Sequence, residues 1–140
     1  WAGAYVLAAQ LAATLITTPL KYIFNRPRPV TVFHEAGIDL TLVEGIKMNE
    51  WLSFPSGHTS AAFALMMCIS VMLPKWWEKT ICLLIAVLTA YSRIYLSQHF
   101  LADTAAGSVI GIASALIIAP FFSEWLKQDT TTTAIYGKKG

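Results

Sequence analysis

Four long apolar stretches are the feature that most restricts what this chain can fold into. They cover residues 1–20, 60–73, 80–96 and 100–122, and few charged side chains interrupt them. A helix of about 20 residues is roughly 30 Å long, which matches the hydrocarbon core of a bilayer. Because a helix satisfies its own backbone hydrogen bonds, it is the form that such stretches take in lipid. The sequence therefore predicts an all-α transmembrane helical bundle with four spans, the second being the shortest.

The composition favours a membrane protein over a soluble one. Of the 140 residues, 56% are hydrophobic and 13% are charged, whereas an ordinary soluble domain has about 25% charged residues. The net charge of +2 is too small to indicate binding to nucleic acid. Cys68 and Cys82 lie inside apolar stretches without the spacing of metal ligands. We therefore expect both to be packed thiols.

The length of the chain suits one domain, and the sequence shows neither an internal repeat nor a linker. Trp1 lies inside an apolar stretch that lacks the basic segment and cleavage site of a signal peptide. We therefore expect residues 1–140 to form a single membrane domain that continues upstream of Trp1. Residues 22–54 form the one long connection, without helical or strand periodicity, and 123–140 form a polar tail.

The order of the spans predicts that four of their ends lie on the same side of the membrane. These are the end of the first span, the start of the second, the end of the third and the start of the fourth. Ionisable residues at a span are costly and are usually functional. Nearly all the unusual polar residues fall at these four ends, and they are Lys21, Arg28, Ser56, Gly57, His58, Arg93, His99 and Asp103.

These residue types are the ones that bind and transfer a phosphoryl group. Ser56, Gly57 and His58 open the second span, where free N–H groups and the helix dipole attract an anion. His99 and Asp103 are spaced i, i+4, so the carboxylate can accept one imidazole N–H and leave the other nitrogen as a nucleophile. Interfacial anchoring, helix capping or a structural ion pair would explain each feature alone. Together they indicate phosphoryl transfer.

The spacing of these residues resembles the three-part signature of the type-2 phosphatidic acid phosphatase family. That superfamily includes lipid phosphate phosphatases, bacterial acid phosphatases, glucose-6-phosphatase and vanadium haloperoxidases. Its membrane members usually have six spans, and the four found here resemble the last four of them. The matching residues are Lys21 with Arg28-Pro29 after six residues, then Pro55-Ser56-Gly57-His58, then Ser92-Arg93 with five residues to His99 and three more to Asp103.

The resemblance implies a role for each matching residue. His99 is implied to attack phosphorus and become phosphohistidine, and Asp103 to orient it. His58 is implied to protonate the leaving group and then to activate a water molecule. The residues implied to hold the phosphate oxygens are Lys21, Arg28, Ser56, Gly57 and Arg93.

The resemblance also implies the setting of the reaction. The substrate is a phosphomonoester or pyrophosphate of a lipid, the surroundings are the bilayer, and neither a metal, another cofactor nor nucleic acid takes part. The expected location is the bacterial inner or plasma membrane, with the site on the extracytoplasmic face. Charges are balanced between the two sides, so the positive-inside rule does not decide the orientation. Outside the motif we expect Arg26 to be auxiliary, His34 to be a surface residue, and Trp51 and Phe54 to contact lipid.

Three other hypotheses fit part of the pattern. Vanadium haloperoxidases share the signature, but they are typically soluble, and four apolar spans argue against this chemistry. A non-enzymatic bundle, either a pseudoenzyme or a transporter, should have lost some of the costly polar residues, and none is missing. A zinc hydrolase would use His34, His58, His99 and Asp103, whose spacing does not suit zinc. A lipid phosphatase acting through phosphohistidine is therefore the main prediction.

Overall fold

The computed structural model describes residues 1–38, 40 and 49–124. All the regular structure in these residues is helical, which confirms the predicted all-α class. A 3₁₀ helix, Ala119–Phe122, continues the last α-helix. The α-helices are α1 (Ala2–Phe24), α2 (Pro29–Glu35), α3 (Gly57–Met72), α4 (Trp76–Tyr95) and α5 (Leu101–Ile118).

Two segments of the described chain are long and apolar enough to cross a membrane, and they are Ala2–Glu35 and Leu101–Phe122. The helix α3 is apolar, but its 16 residues are short for a bilayer core about 30 Å thick. The helix α4 has 20 residues, and it carries Glu78, Lys79 and Arg93, which lower its hydropathy. Length and hydropathy therefore support two of the four predicted spans.

The long connection contains a helix that the sequence patterns did not predict. This helix, α2, has seven residues, too few for an apolar periodicity to become visible. Pro29 occupies its first turn, where the fixed φ of proline and its missing N–H suit a helix start. The helix α1 also continues to Phe24, beyond the predicted end at residue 20. The predicted tail lies outside the described residues from position 125 onward.

The helices α3 and α5 pack closely through two glycines of α5. A Cβ added at Gly107 would lie 2.6 Å from the carbonyl oxygen of Ser56, and one added at Gly111 would lie 2.3 Å from that of Ser60. Real Cβ atoms do not approach backbone oxygens so closely, so only glycine permits this separation of the two helices. Ala115, one turn further along, is also buried. The small residues of the fourth apolar stretch therefore form a packing face.

The helix α3 lies between the other long helices, since it contacts α1, α4 and α5. On the α1 side, Tyr5, Ala9, Cys68 and Ala115 form a buried cluster. The Tyr5 hydroxyl donates a 3.0 Å hydrogen bond to the Ala115 carbonyl, which joins α1 to α5. Cys68 and Cys82 are free and buried, as predicted. This arrangement places the first turn of α3 at the centre of one end of the bundle.

We expect Gly111→Ala to lower the free energy of unfolding by about 1–3 kcal/mol, the usual cost of overpacking. The added methyl group would have to displace the backbone of α3, which is why relaxation is limited. The measurement is the midpoint of thermal or denaturant unfolding in detergent. Gly3→Ala is the matched control, because among the described residues nothing lies within 4 Å of its added Cβ. Equal stability of the two variants would contradict the close packing of α3 and α5.

Candidate active site

The helix ends that were predicted to converge meet at one end of the bundle. A cavity of about 680 Å³ lies there, within the range of about 300–1,000 Å³ that is usual for ligand pockets. The last turn of α1, the first turn of α3 and the short turn before α5 all contribute to its wall. The lining residues are Lys21, Arg28, Asn49, Trp51, Leu52, Gly57, His58, Ala61 and His99.

His99 is buried between α4 and α5, with 2% of its surface exposed, and its ring lines the cavity. Its Nδ1 lies 3.7 Å from Oδ2 of Asp103, which is longer than a hydrogen bond. This nitrogen is buried and has no hydrogen-bond partner among the described residues. The i, i+4 spacing thus brings the carboxylate beside the imidazole as predicted, while the predicted N–H···O bond is a longer ion-pair contact. Nε2 is the ring nitrogen that remains for the cavity.

Other donors occupy the Asp103 carboxylate and account for this longer contact. Oδ1 accepts a 2.8 Å hydrogen bond from Nη1 of Arg26. Oδ2 accepts one of 2.5 Å from the Ser53 hydroxyl and one of 2.9 Å from the Phe100 backbone N–H. The side chain is fully buried, and an ionised carboxylate in that position requires such partners.

The first turn of α3 brings His58 and the Gly57 backbone to the cavity wall. Ser56 caps the helix, since its Oγ accepts hydrogen bonds from the backbone N–H and the hydroxyl of Thr59 at 3.4 and 2.9 Å. Ser56 is fully buried and lies behind Gly57 rather than in the lining. A Cβ on Gly57 would lie 3.7 Å from Cε of Lys21. The helix start and the lysine therefore lie side by side at the cavity.

Lys21 and Arg28 line the cavity on the side of the long connection. The Lys21 ammonium group donates a 3.0 Å hydrogen bond to the carbonyl of Leu52. The Nε of Arg28 donates to the Trp51 carbonyl at 3.1 Å. Each cation is thus fixed at its position by a backbone oxygen of the residues that precede α3.

Arg93 reaches the same region from the last turn of α4, where its guanidinium group donates to the side chain of Gln98. The carbonyl of Gln98 accepts a 3.3 Å hydrogen bond from Nη1 of Arg28. The positive charge of Arg93 repels the guanidinium group of Arg28 and the protonated form of His58. Gln98 therefore connects two of the three cations that the sequence predicted at the site.

The structure does not bring every predicted residue to the cavity. His34 is exposed on α2, as expected. Phe54 packs its ring edge-on against Phe24 at 4.8 Å between centroids, whereas Trp51 lines the cavity. Among the described residues no group of three or more His, Cys, Asp and Glu could hold a metal ion. The ligand set of the zinc hypothesis is therefore not assembled.

Sequence reasoning missed the contacts of Arg26, Ser53 and Gln98. Arg26 was expected to be auxiliary, although its position beside Arg28 in a proline-flanked segment was a signal that it faces the same region. Ser53 lies in a connection without periodicity, and Gln98 is an ordinary polar residue of a short turn. Nothing in the sequence distinguishes those two from surface residues.

The sequence and the fold of the chain are similar to those of known proteins. Residues 2–127 match the PAP2 superfamily, and the chain belongs to that family. It is 25% identical over 123 residues to a lipid A 1-phosphatase of Rhizobium johnstonii, which covers 88% of this chain and 49% of the relative. It is 28% identical over 111 residues to a lipid A 4'-phosphatase of Bacteroides thetaiotaomicron, covering 76% of this chain and 49% of that protein.

A solved structure is similar as well. The crystal structure of Aquifex aeolicus LpxE superposes with a TM-score of 0.67 and 33% sequence identity, over 83% of this chain and 66% of that one. The chain spans between 24% and 50% of the length of the curated relatives that it matches.

The environment of His99 favours its neutral form. Burial lowers the pKa of His99 below its usual value, and the positive charges of Arg28 and Lys21 lower this pKa further, while Asp103 opposes them. Neutral imidazole is the form that has a free electron pair for attack. The surroundings of His99 thus favour an imidazole that keeps a free electron pair.

We expect His99 to titrate below about 6.5, the value of an unperturbed histidine. Lys21→Met should raise this pKa because it removes a repelling charge, and Asp103→Asn should lower it because it removes an attracting one. The measurement is NMR of the histidine side chains in detergent micelles, with His99 assigned through the signal that His99→Gln removes. A midpoint above 6.5, or shifts of the same sign in both variants, would contradict the electrostatics described.

Proposed function

We propose that this chain carries the catalytic site of a membrane phosphatase that hydrolyses a lipid phosphate through a phosphohistidine intermediate. One observation carries the proposal: the buried His99, beside Asp103, lines the same cavity as His58, Lys21 and Arg28. A nucleophile with an orienting carboxylate, an acid and fixed cations are the groups that phosphoryl transfer needs.

In the first step of the proposed reaction, Nε2 of His99 attacks phosphorus while the bond from phosphorus to the lipid oxygen breaks. His58 gives its proton to that oxygen, which leaves as an alcohol or as a lipid phosphate. Lys21, Arg28 and Arg93 face the phosphoryl oxygens as charge moves onto them. Asp103 stabilises the positive charge that the phosphorylated imidazole acquires.

In the second step, His58 acts as a base instead of as an acid. Now neutral, it accepts a proton from a water molecule, whose oxygen attacks phosphorus. The bond from phosphorus to Nε2 breaks, the electron pair returns to His99, and inorganic phosphate leaves. Both histidines and the charges around them are then restored, so the same residues serve each turnover.

The names of the relatives support a phosphorylated lipid as the substrate, and we propose lipid A as the first candidate. Two relatives that each align with more than three quarters of this chain are lipid A phosphatases. The cavity has room for part of a headgroup beside the phosphate, and Trp51, 47% exposed, presents an aromatic ring at its wall. Such a ring suits the boundary between lipid and water.

We further propose that α3 and α4 cross the membrane together with α1 and α5. The outer face of α4 exposes large apolar side chains, such as Ile81, Leu84 and Leu88, and a continuous exposed apolar surface marks contact with lipid or protein. Trp76 and Trp77 begin this helix, as is common at a membrane interface. The proposed location is a bacterial membrane, with the site on the extracytoplasmic face.

The test of substrate is phosphate release from a panel of lipids by the full-length protein in detergent micelles. Lipid A, phosphatidate, phosphatidylglycerophosphate and a prenyl pyrophosphate are compared at equal surface concentration, with and without a strong chelator. We expect release from lipid A that is at least tenfold faster than from the others and unaffected by the chelator. No release from any of the four lipids would refute the proposed function.

His99→Ala should abolish both phosphate release and the incorporation of labelled phosphate into protein, since the attacking nitrogen is lost. His58→Ala should slow both steps by on the order of 10²–10⁴, and the loss in the first step should be smallest for substrates whose leaving group needs no proton. The measurement is acid-labile labelling of the protein in rapid quench. His34→Ala is the control, because this exposed histidine lies outside the cavity. Wild-type turnover by His99→Ala would exclude the mechanism.

Arg28→Lys should reduce kcat/KM by at least tenfold although the charge is kept. The guanidinium group donates to two backbone carbonyls at once, and a lysine cannot make both bonds and still face phosphate. Steady-state kinetics on the preferred lipid measure the loss. Lys75→Arg, an exchange of the same two residue types at an exposed position on the opposite side of the bundle, should leave kcat/KM unchanged. A harmless Arg28→Lys would remove this residue from the site.

A further inference from the structure

The Asp103 carboxylate is held by donors from three separate segments of the chain. Arg26 comes from the turn after α1, Ser53 from the residues that precede α3, and the Phe100 N–H from the start of α5. The oxygen Oδ1 accepts only from Arg26 among the described residues. The hydrogen bonds from the Arg26 and Ser53 side chains therefore join two segments that are distant in the chain to the first turn of α5.

Arg26 and Ser53 are also joined to each other and to the start of α5. The Ser53 backbone N–H donates to the Arg26 carbonyl at 2.9 Å. The Arg26 guanidinium group lies over the Phe100 ring, 4.6 Å from its centroid, which adds a cation–π contact. These contacts fix the Arg26 and Ser53 donors relative to each other, independently of their bonds to the carboxylate.

The position of the carboxylate decides how closely it approaches His99. Oδ2, which accepts from Ser53, is the same oxygen that lies 3.7 Å from Nδ1 of His99. This buried nitrogen has no other partner in the described part of the chain. A small rotation of the Asp103 side chain would therefore change the one polar contact that orients the imidazole.

We propose that Arg26 and Ser53 are positioning residues that act on the His99 nucleophile through Asp103. Arg26 neutralises and orients the buried carboxylate, and Ser53 holds Oδ2 on the His99 side. The proposal rests on the proposed function, in which the imidazole becomes positively charged when Nε2 binds phosphorus. A carboxylate held in place then stabilises that charge without having to move.

The test is a double-mutant cycle on the rate of protein phosphorylation in the full-length protein. Arg26→Gln and Ser53→Ala are each combined with Asp103→Asn, and rapid quench gives the rate constant for labelling. In the native background we expect Arg26→Gln to slow labelling by on the order of 100-fold, with KM changed less than about twofold because phosphate is not touched. In the Asp103→Asn background the same change should cost less than about threefold, since the group it positions has lost its charge.

Two further variants keep the outcome decisive. Arg26→Lys retains the charge and should recover at least tenfold of the rate lost in Arg26→Gln, and it replaces that variant in the cycle if the latter does not fold. Arg28→Lys is the comparison, because a phosphate ligand should cost the same factor in both backgrounds. Equal losses from Arg26→Gln with and without the Asp103 charge, or a loss confined to KM, would overturn the positioning role. Labelling that survives His99→Ala would instead refute the proposed function.

Discussion

The separation between α3 and α5 is the constraint on which the rest of the site depends. Gly107 allows the backbone of α5 to approach Ser56, and the Ser56 N–H then donates a 3.0 Å hydrogen bond to the carbonyl of Asp103. This bond joins the two helix starts that present His58 and His99. A wider spacing would separate the two histidines, and the cavity between them would lose its shape. Helix packing and the geometry of the candidate site therefore have the same cause.

The electrostatics of the site follow from that packing. Three cations, Lys21, Arg26 and Arg28, interact with the Asp103 carboxylate, and a fourth, Arg93, interacts with Arg28. Like charges in one region repel each other, and fixed hydrogen-bond acceptors offset that repulsion. Carbonyl oxygens hold Lys21 and Arg28, while the other two bond to side chains. The result is a positively charged region whose cations are held in place by acceptors of the protein itself.

The sequence predicted the convergence of the helix ends but not the contacts behind them. In a bundle of consecutive spans, the order of the helices decides which ends share a side, and Lys21, His58 and His99 follow from that order. The bond from Arg26 to Asp103 joins residues 77 positions apart, and the bond from Ser53 spans 50. Both depend on the path of irregular segments, which no periodicity records. For the same reason α2 was missed, and the distance from His99 to Asp103 was predicted too short.

Two backbone hydrogen bonds close the base of the long connection. The Arg28 N–H donates to the Glu50 carbonyl, and the Ser53 N–H donates to the Arg26 carbonyl, both at 2.9 Å. The two bonds hold the ends of this connection together. The chain between them can therefore become longer or shorter with little effect on the residues outside it, because each doubling of a loop costs only about 0.6 kcal/mol in closure entropy. Insertions and deletions between these two bonds are therefore the changes in chain length that the residues outside them tolerate best.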